Sequence, residues 1–296
     1  MTAQIIDGKQ VAADMRAELK EKVARLKSEG IIPGLAVVLV GEDPASKSYV
    51  TAKEKACEEI GVYSDDNRLP ADTSEKELLA LVDKLNKDPK INGILVQLPL
   101  PKHINENNIL LAIDPAKDVD GFHPVNVGKM VVGEKAFLPC TPHGVVQLLL
   151  RSGVTIAGAH VVIVGRSNIV GKPLANMLIQ KSDTGNATVT VCHTRTKDLA
   201  GYTRQADIVI AAAGRPNTVT ADMVRDGVVV IDVGVNRVED ATKKRGYRLV
   251  GDVDFEAVKE KASLITPVPG GVGPMTITML LYNTVESAKR AAGLPG

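Results

Sequence analysis

The residues Ser46, Tyr49 and Lys53 have the spacing to form one polar stripe on a helix. Tyr49 and Lys53 are four residues apart, so their side chains share a face if the segment is helical. A lone lysine on a helix is usually a solvated surface charge. It can act as a base only when partly neutral, and a reference pKa of ~10.4 leaves roughly one lysine in a thousand neutral near pH 7.4. The stripe therefore predicts proton-transfer chemistry only if the fold buries Lys53 and lowers its pKa.

Two further polar segments lie later in the chain. Gln97 ends the apolar run Gly93-Ile-Leu-Val-Gln97, and Asp118-Val-Asp120-Gly-Phe122 is a polar loop. Open α/β sheets bind ligands at the C-terminal ends of their strands, which is where Gln97 would lie. The aspartate loop by itself is also typical of an Asx turn.

Helices and apolar strands that could position these residues make up the first half of the chain. Apolar residues at helical spacing predict helices at Gly8–Gly30, Ala45–Gly61 and Ser74–Lys87, the last capped by Thr73 or Ser74. Buried strands are predicted at Leu35–Val40 and Gly93–Gln97, the second stopped by Pro99 and Pro101. This half is expected to be a small α/β domain.

The second half contains a glycine turn between a strand and a helix. The strand Val161–Val164 leads into Gly165-Arg166-Ser167, and Gly171 precedes a helix at Lys172–Lys181. A phosphate can sit on the free N–H groups of such a helix N-terminus. Ser167 occupies the second glycine position of the G-x-G-x-x-G fingerprint, so the motif alone favours a dinucleotide site no more than an ordinary strand-to-helix turn.

The next hundred residues favour the dinucleotide site. Apolar, β-rich runs occur at Thr188–Cys192, Ile208–Ala213 and Val228–Val233. Their alternation with short helical segments predicts a parallel sheet with helices on both faces. Small residues at the strand ends, Ala213-Gly214 and Val233-Gly234, would let a cofactor come close. We therefore predict an α/β protein whose second domain is Rossmann-like.

Composition excludes several functional classes. The net charge of the 296 residues is +1, aromatic residues make up 3% and there is no tryptophan, so neither nucleic acid nor a membrane is an expected partner. The cysteines and histidines lack metal-ligand spacing, and no base accompanies Cys140 in sequence, so we expect no metal and no thiol nucleophile. Three scattered cysteines and no signal peptide indicate a cytoplasmic protein.

The domain limits are predicted from proline and glycine content. The boundary should lie near Pro139–Pro142, just before a helix at His143–Leu150. We expect a first domain at 1–141 and a dinucleotide-binding domain at 142–273. The final helix, Met275–Ala292, follows the irregular segment Thr266–Pro274. With its flanking residues it forms the segment 274–296, which should pack back on the first domain.

The sequence resembles one family over essentially its whole length, the bifunctional methylenetetrahydrofolate dehydrogenase/cyclohydrolases. Several long sequence motifs in a fixed order carry this resemblance. The resemblance is to the family's short form, without a formyltetrahydrofolate synthetase domain. The matching motifs are Ser46-x-x-Tyr49-x-x-x-Lys53, Gly93-Ile-Leu-Val-Gln-Leu-Pro-Leu-Pro101, Lys117-Asp-Val-Asp-Gly-Phe122, Pro139-Cys-Thr-Pro142, Gly165-Arg-Ser167 and Pro267-Val-Pro-Gly-Gly-Val-Gly-Pro-Met-Thr276.

The resemblance implies folate-site roles for particular residues. Lys53 would be the catalytic residue, Gln97 would hydrogen-bond and tune it, and Tyr49 would stack on the folate. Asp120 would hold the amide and amino edge of the pterin, which suits a carboxylate that accepts two hydrogen bonds in one plane. The other implied folate-binding residues are Val96, Leu98, Pro269, Gly270, Gly271, Val272 and Gly273.

The implied cofactor residues are Gly165, Arg166, Ser167, Thr194, Arg195 and Val235. The cofactor is predicted to be NADP, because the strand Ala187–Cys192 is followed by His193-Thr194-Arg195 without the acidic residue that holds the ribose diol of NAD. Arg166 or Arg195 would hold the 2′-phosphate, and the family resemblance favours Arg166.

The reaction implied is oxidation of 5,10-methylenetetrahydrofolate by NADP, followed by hydrolysis of the methenyl product to 10-formyltetrahydrofolate. A dehydrogenase without the hydrolase step is the alternative enzyme. A non-catalytic nucleotide-sensing module is the alternative from another class, and intact Lys53, Gln97 and Asp120 argue against it. The resemblance also implies a homodimer, with the nucleotide-binding domain at the interface.

Overall fold

The computed structural model describes residues 2–243 and 246–294. The chain divides into two compact units. The six-stranded unit comprises Met1–Ala12 and Thr141–Thr276, and the three-stranded unit comprises Ala13–Cys140 and Ile277–Gly296. The predicted α/β class is confirmed in both units.

The three-stranded unit is built on a parallel sheet in the order β3-β2-β4. Its strands are β2 (Gly34–Val40), β3 (Tyr63–Leu69) and β4 (Gly93–Val96). The central strand β2 is buried at all seven positions, as its uninterrupted apolar sequence requires. The polar strand β3 was not predicted, because an edge strand reading YSDDNRL carries no apolar run.

Five helices lie in this part of the chain. They are α1 (Gly8–Ser28), α2 (Pro44–Ile60), α3 (Glu75–Lys87), α4 (Glu106–Ala112) and α5 (Pro124–Val132). Of these, α2 and α3 contact the sheet. Local signals set their ends: Asp43 caps α2 by accepting from Ser46 N–H at 2.8 Å, and Gly61 ends it with a left-handed φ of 82°. Of the two predicted caps for α3, Ser74 is the one used, in a capping box with Glu77.

The last helix, α10 (Val272–Ala291), is held to the three-stranded unit through its second half. Asn283 Nδ2 donates to the carbonyls of Val119 and Leu138 at 2.8 and 2.9 Å. Ser287 Oγ donates to the carbonyl of Asn92 at 2.6 Å. These bonds tie the helix to the segment that contains the aspartate loop.

The six-stranded unit contains one entirely parallel sheet in the order β1-β11-β8-β7-β5-β6. Its strands are β1 (Gln4–Ile5), β5 (His160–Val164), β6 (Thr188–Cys192), β7 (Ile208–Ala211), β8 (Val229–Asp232) and β11 (Leu264–Ile265). A separate antiparallel ribbon pairs β9 (Asn236–Glu239) with β10 (Tyr247–Val250). The helices are α6 (Cys140–Arg151), α7 (Gly171–Ile179), α8 (Leu199–Thr203) and α9 (Phe255–Val258).

The N-terminus differs from the predicted first domain of 1–141. Strand β1 pairs in parallel with β11, with Gln4 opposite Leu264, and Ile6 N–H donates to the Ile265 carbonyl at 2.8 Å. The described residues before α1 therefore belong to the six-stranded sheet. A strand of two residues is too short to show an alternating pattern of apolar residues, so the sequence could not predict β1 or its pairing with β11.

Candidate active site

Lys53 is buried in the three-stranded unit, with 8% of its surface exposed. Its Nζ donates to Gln97 Oε1 at 2.8 Å. Gln97 Nε2 donates in turn to the Leu98 carbonyl at 2.7 Å. Because the amide nitrogen is engaged in that second bond, the amide oxygen is the atom presented to the lysine. The predicted pairing of lysine and glutamine is thus a formed hydrogen bond.

Parallel pairing of β2 and β4 positions these two side chains. Val38 lies opposite Val96, and Gln97 N–H donates to the Val38 carbonyl at 2.8 Å, which holds Gln97 at the C-terminal edge of the sheet. Helix α2 follows β2 at the same edge and carries Lys53. The predicted strand Gly93–Gln97 ends one residue early, at Val96.

The environment of Lys53 moves its pKa in the direction that proton transfer needs. Burial lowers the pKa of Lys53, and this effect is larger than the opposing influence of Asp120, Cys140 and Cys57. Burial likewise raises the pKa of Asp120 to about 6, while the nearby Lys53 charge acts in the opposite direction. The Lys53 amine thus holds its proton less firmly than an ordinary lysine, and the Asp120 carboxyl group holds its proton more firmly than an ordinary aspartate. Shifts of this kind are typical of groups that transfer protons in functional sites.

The two aspartates of the polar loop have different environments. Asp118 is buried, and its Oδ2 accepts from His123 N–H and Asn126 Nδ2, both at 2.8 Å, while Oδ1 accepts from Phe122 N–H at 3.2 Å. Asp118 is therefore the residue that shapes the turn. Asp120 instead interacts with the charge of Lys53. The loop thus forms an Asx-type turn through Asp118 and presents the carboxylate of Asp120.

Cys140 lies in the same buried environment. Its Sγ donates to the Val119 carbonyl at 3.3 Å. Burial first, and then the neighbouring Asp120, raise the pKa of the Cys140 thiol well above its ordinary value. A thiol held in the protonated form is a poor nucleophile, which agrees with the absence of a paired base in the sequence.

A second candidate site is a cavity of about 520 Å³ in the six-stranded unit. The segments after β5, β6 and β7 form its wall, through Gly165, Arg166, Ser167, His193, Thr194, Thr196, Ala212, Ala213, Arg215, Asn217 and Thr218, among other residues. All three segments follow C-terminal strand ends of a parallel sheet, where dinucleotides bind. The lining contains two arginines and neither aspartate nor glutamate.

Backbone contacts explain the imperfect glycine fingerprint. Gly165 has a φ of 141°, and a Cβ there would lie 2.1 Å from the Ala212 carbonyl oxygen, so only glycine fits. Ser167, in place of the second glycine, accepts from Val170 N–H at 3.1 Å and Gly171 N–H at 3.4 Å through its Oγ. The Ser167 hydroxyl therefore satisfies two backbone donors just before α7 and at its first residue, which a glycine could not do.

Comparison with known proteins identifies the family. The model of the tetrahydrofolate dehydrogenase/cyclohydrolase catalytic domain matches residues 6–120, and the model of its NAD(P)-binding domain matches residues 139–292. The bifunctional protein FolD of Moorella thermoacetica is 62% identical over 98% of this chain and 100% of its own length. The chain belongs to the tetrahydrofolate dehydrogenase/cyclohydrolase family. The resemblance inferred from the sequence is thereby confirmed.

Two solved structures resemble this tetrahydrofolate dehydrogenase/cyclohydrolase. The N5,N10-methylenetetrahydrofolate dehydrogenase-cyclohydrolase of Trypanosoma brucei, in complex with NADP and an inhibitor, is 42% identical with a TM-score of 0.93 and covers 99% of each chain. The NAD-dependent 5,10-methylenetetrahydrofolate dehydrogenase of Saccharomyces cerevisiae is 23% identical with a TM-score of 0.75 and covers 99% of each chain. The second likeness is one of fold alone.

The predicted folate-site residues of this family member fall in both units. Lys53, Gln97 and Asp120 belong to the three-stranded unit, as do Tyr49, Val96 and Leu98. Tyr49 lies one turn before Lys53 on α2 with 48% of its surface exposed, so its ring is available to a ligand. The segment Pro269–Gly273 belongs to the six-stranded unit, where Gly270 has a φ of 106°.

Four of the predicted cofactor residues lie together in the six-stranded unit. Gly165, Arg166, Ser167 and Thr194 line the 520 Å³ cavity. Arg195 and Val235 are not among its lining residues, although Arg195 adjoins Thr194. The sequence analysis missed Arg215 and Asn217, which follow β7. The signal that could have found them is their position just after the Ala213-Gly214 strand end.

Within residues 2–243 and 246–294, no group of three or more histidine, cysteine, aspartate or glutamate side chains could hold a metal ion. In the same residues, no helix combines the length and apolar character needed to span a bilayer.

Proposed function

We propose that the chain oxidises 5,10-methylenetetrahydrofolate to the methenyl form with NADP and then hydrolyses that product to 10-formyltetrahydrofolate. The observation that carries the proposal is the buried hydrogen bond from Lys53 to Gln97 beside Asp120. It occurs in a family member whose other unit holds a cavity suited to a dinucleotide.

The folate site is proposed in the three-stranded unit. Asp120, when ionised, accepts two hydrogen bonds from the amide and amino edge of the pterin. Tyr49 stacks on the ring system, and Val96 and Leu98 provide apolar contact. The family resemblance also assigns Pro269–Gly273 to folate binding, and the last two residues of this segment begin α10. These roles follow the family resemblance, and the exposure of Tyr49 supports one of them.

Lys53 is the proposed proton carrier in hydrolysis. Water adds its oxygen to the cationic methenyl carbon, and the neutral amine of Lys53 takes one proton from that water. The bond from this carbon to N5 then breaks, N5 receives the proton from the Lys53 ammonium, and the remaining hydroxyl proton passes to solvent. The formyl group stays on N10. The lowered pKa of Lys53 supports this role, because a fully protonated amine could not accept the first proton.

The cofactor site fits a phosphorylated dinucleotide. Gly165 permits close backbone approach, and the lining supplies guanidinium groups without a carboxylate. NADP, when bound, accepts the hydride from the methylene carbon. The chain's own residues need only hold the reactants in alignment for that step, since no proton moves.

A single spectroscopic assay tests the function. Purified protein is mixed with methylenetetrahydrofolate and NADP, and the NADPH and methenyl absorbances are followed, with methenyl hydrolysis measured separately. We expect NADPH formation and enzyme-dependent methenyl hydrolysis. Methenyl accumulation without hydrolysis would identify a dehydrogenase alone, and the absence of both reactions would favour a nucleotide-sensing module.

Arg166→Met should lower kcat/KM for NADP about ten- to a hundredfold and change kcat/KM for NAD much less. Loss of a hydrogen bond to a charged phosphate group costs on the order of 1.5–3 kcal/mol, and NAD lacks the 2′-phosphate. Arg166 lines the cavity, and Arg195→Met is the matched comparison. A selective loss in the Arg195 variant instead would transfer the assignment to that residue. Wild-type protein that uses NAD as efficiently as NADP would contradict the choice of cofactor.

We propose a homodimer with the six-stranded unit at its interface, on the family resemblance. Strand β6 is one of the two outer strands of the sheet in the described residues, and 37% of the surface of its Val191 is exposed. Unpaired edge strands are common sites of association. Sedimentation equilibrium at micromolar concentration should give twice the chain mass of 31.4 kDa. A species of 31.4 kDa alone would rule the dimer out.

A cytoplasmic location is proposed from cysteine usage. Cys57, Cys140 and Cys192 are all buried and free, which is typical of a reducing compartment.

A further inference from the structure

Asp252 is a fully buried residue that follows β10 and that no predicted role includes. Its carboxylate accepts from three consecutive backbone N–H groups: Oδ2 from Ala213 at 2.6 Å and Gly214 at 2.8 Å, and Oδ1 from Arg215 at 2.9 Å. Its main-chain carbonyl accepts from the N–H groups of Thr218 at 2.7 Å and Val219 at 3.2 Å. One residue therefore binds five backbone donors of the segment 213–219.

That segment is one wall of the 520 Å³ cavity. Ala213, Arg215, Asn217 and Thr218 all line it. Two of its residues have left-handed backbone conformations, Gly214 with a φ of 69° and Asn217 with a φ of 52°. Such conformations persist where the surrounding structure determines them, and the bonds to Asp252 supply that constraint.

The surroundings of Asp252 are built to bring a carboxylate close to backbone. Asp232 Oδ1 accepts from Asp252 N–H at 2.9 Å and from Gly234 N–H at 3.0 Å. A Cβ on Gly234 would lie 2.2 Å from the Asp252 carboxyl group, and one on Gly251 would lie 1.8 Å from Asp232 Oδ2. Neither glycine can therefore be exchanged for a larger residue without moving a carboxylate.

The charge of Asp252 is satisfied by N–H donors. Asn236 Nδ2 adds a further bond to Asp252 Oδ1 at 2.8 Å. Successive backbone N–H groups of this kind form a concave nest that binds anions. Because the carboxylate occupies the nest of residues 213–215, a phosphate of a bound ligand cannot use the same donors.

We propose that Asp252 is a positioning residue for the nicotinamide cofactor, acting through the 213–218 wall of the cavity. Asp232 and Asn236 position Asp252 in turn. The inference rests on the proposed function, since it takes the cavity to be the NADP site. The carboxylate of Asp252 would thus determine the shape of the cofactor site without contacting the cofactor.

Asp252→Asn should raise the Kd for NADPH, measured by fluorescence titration, about ten- to a hundredfold. The substitution removes the charge and directs an amide NH₂ at backbone N–H groups, and hydrogen bonds to charged groups have effects of about this size. Dehydrogenase kcat/KM for NADP should fall in parallel. Methenyl hydrolysis should stay within about twofold, because that reaction uses no cofactor and Lys53 belongs to the other unit.

The hydrolase reaction is the internal control, and Asp226→Asn is the matched variant. Asp226 is an exposed aspartate of the same unit, 88% exposed at its side chain, and its substitution should change neither activity. If Asp252→Asn does not fold, Asn236→Ala takes its place, since it removes one donor and keeps the carboxylate. That variant should raise the Kd for NADPH about threefold or more.

An unchanged Kd for NADPH in the folded variant would overturn the inference. An equal loss of hydrolysis and oxidation would do so as well, because it would indicate a general structural role. A failure of the proposed function is distinguishable from both outcomes, since wild-type protein itself would then neither bind NADPH nor oxidise the folate.

Discussion

The Lys53→Met variant should lose methenyl hydrolysis by about 10²–10⁴-fold, the usual contribution of a general acid–base group. Methionine keeps the length and apolar stem of the side chain and removes the amine. The hydrogen bond to Gln97 Oε1 at 2.8 Å would be lost with it.

Dehydrogenase activity should fall less in the same variant. Hydride transfer requires alignment and no proton transfer, and the residues proposed to orient the folate remain. A displaced ring would still cost some of that activity. Both reactions are therefore measured on one purified sample, after calorimetry has confirmed that the variant binds folate.

The matched control is Lys55→Met, an exposed lysine two residues away on the same helix. It should leave both activities unchanged. The pH profile provides a second readout: in wild-type protein the hydrolysis rate should rise as Lys53 deprotonates, through a pKa below its ordinary value. The rise should vanish in Lys53→Met. Retained hydrolysis with lost oxidation would place the water-activating group elsewhere.

Asp120→Ala should weaken folate binding about ten- to a hundredfold and leave NADPH binding unchanged. The physical reason is loss of a charged acceptor for two pterin donors, worth on the order of 1.5–3 kcal/mol. Calorimetric titration with folate measures the effect. Asp72→Ala, an exposed aspartate of the same unit, is the matched control, and equal folate affinity in the two variants would contradict the assignment.

The raised pKa of Asp120 adds a pH dependence with a definite sign. A carboxyl group whose pKa is about 6 is ionised above that pH and loses its charge as the pH falls through it. A protonated Asp120 accepts fewer hydrogen bonds, so wild-type folate affinity should decrease below pH 6. Because the folate itself titrates, the comparison is with Asp120→Ala, in which this part of the decrease should be absent.

Sequence alone determined the class of fold and the family. Long apolar runs such as Leu35–Val40 and Val161–Val164 predicted buried strands, and both are found. Local signals sufficed for helix ends, as at Gly61 and Ser74. These features depend on residues close together in the chain, where spacing and steric preference decide the structure.

Tertiary structure alone decided how individual polar groups are used. The sequence shows two aspartates two residues apart, and only the packing of Asn126 and His123 against Asp118 separates a turn-forming carboxylate from Asp120. The pairing of β1 with β11 joins residues at opposite ends of the chain. Asp252 likewise binds a segment that lies 33 to 39 residues earlier. Burial and hydrogen-bond partners at such separations arise from the packing of segments that are distant in the chain, and the spacing of neighbouring residues does not encode that packing.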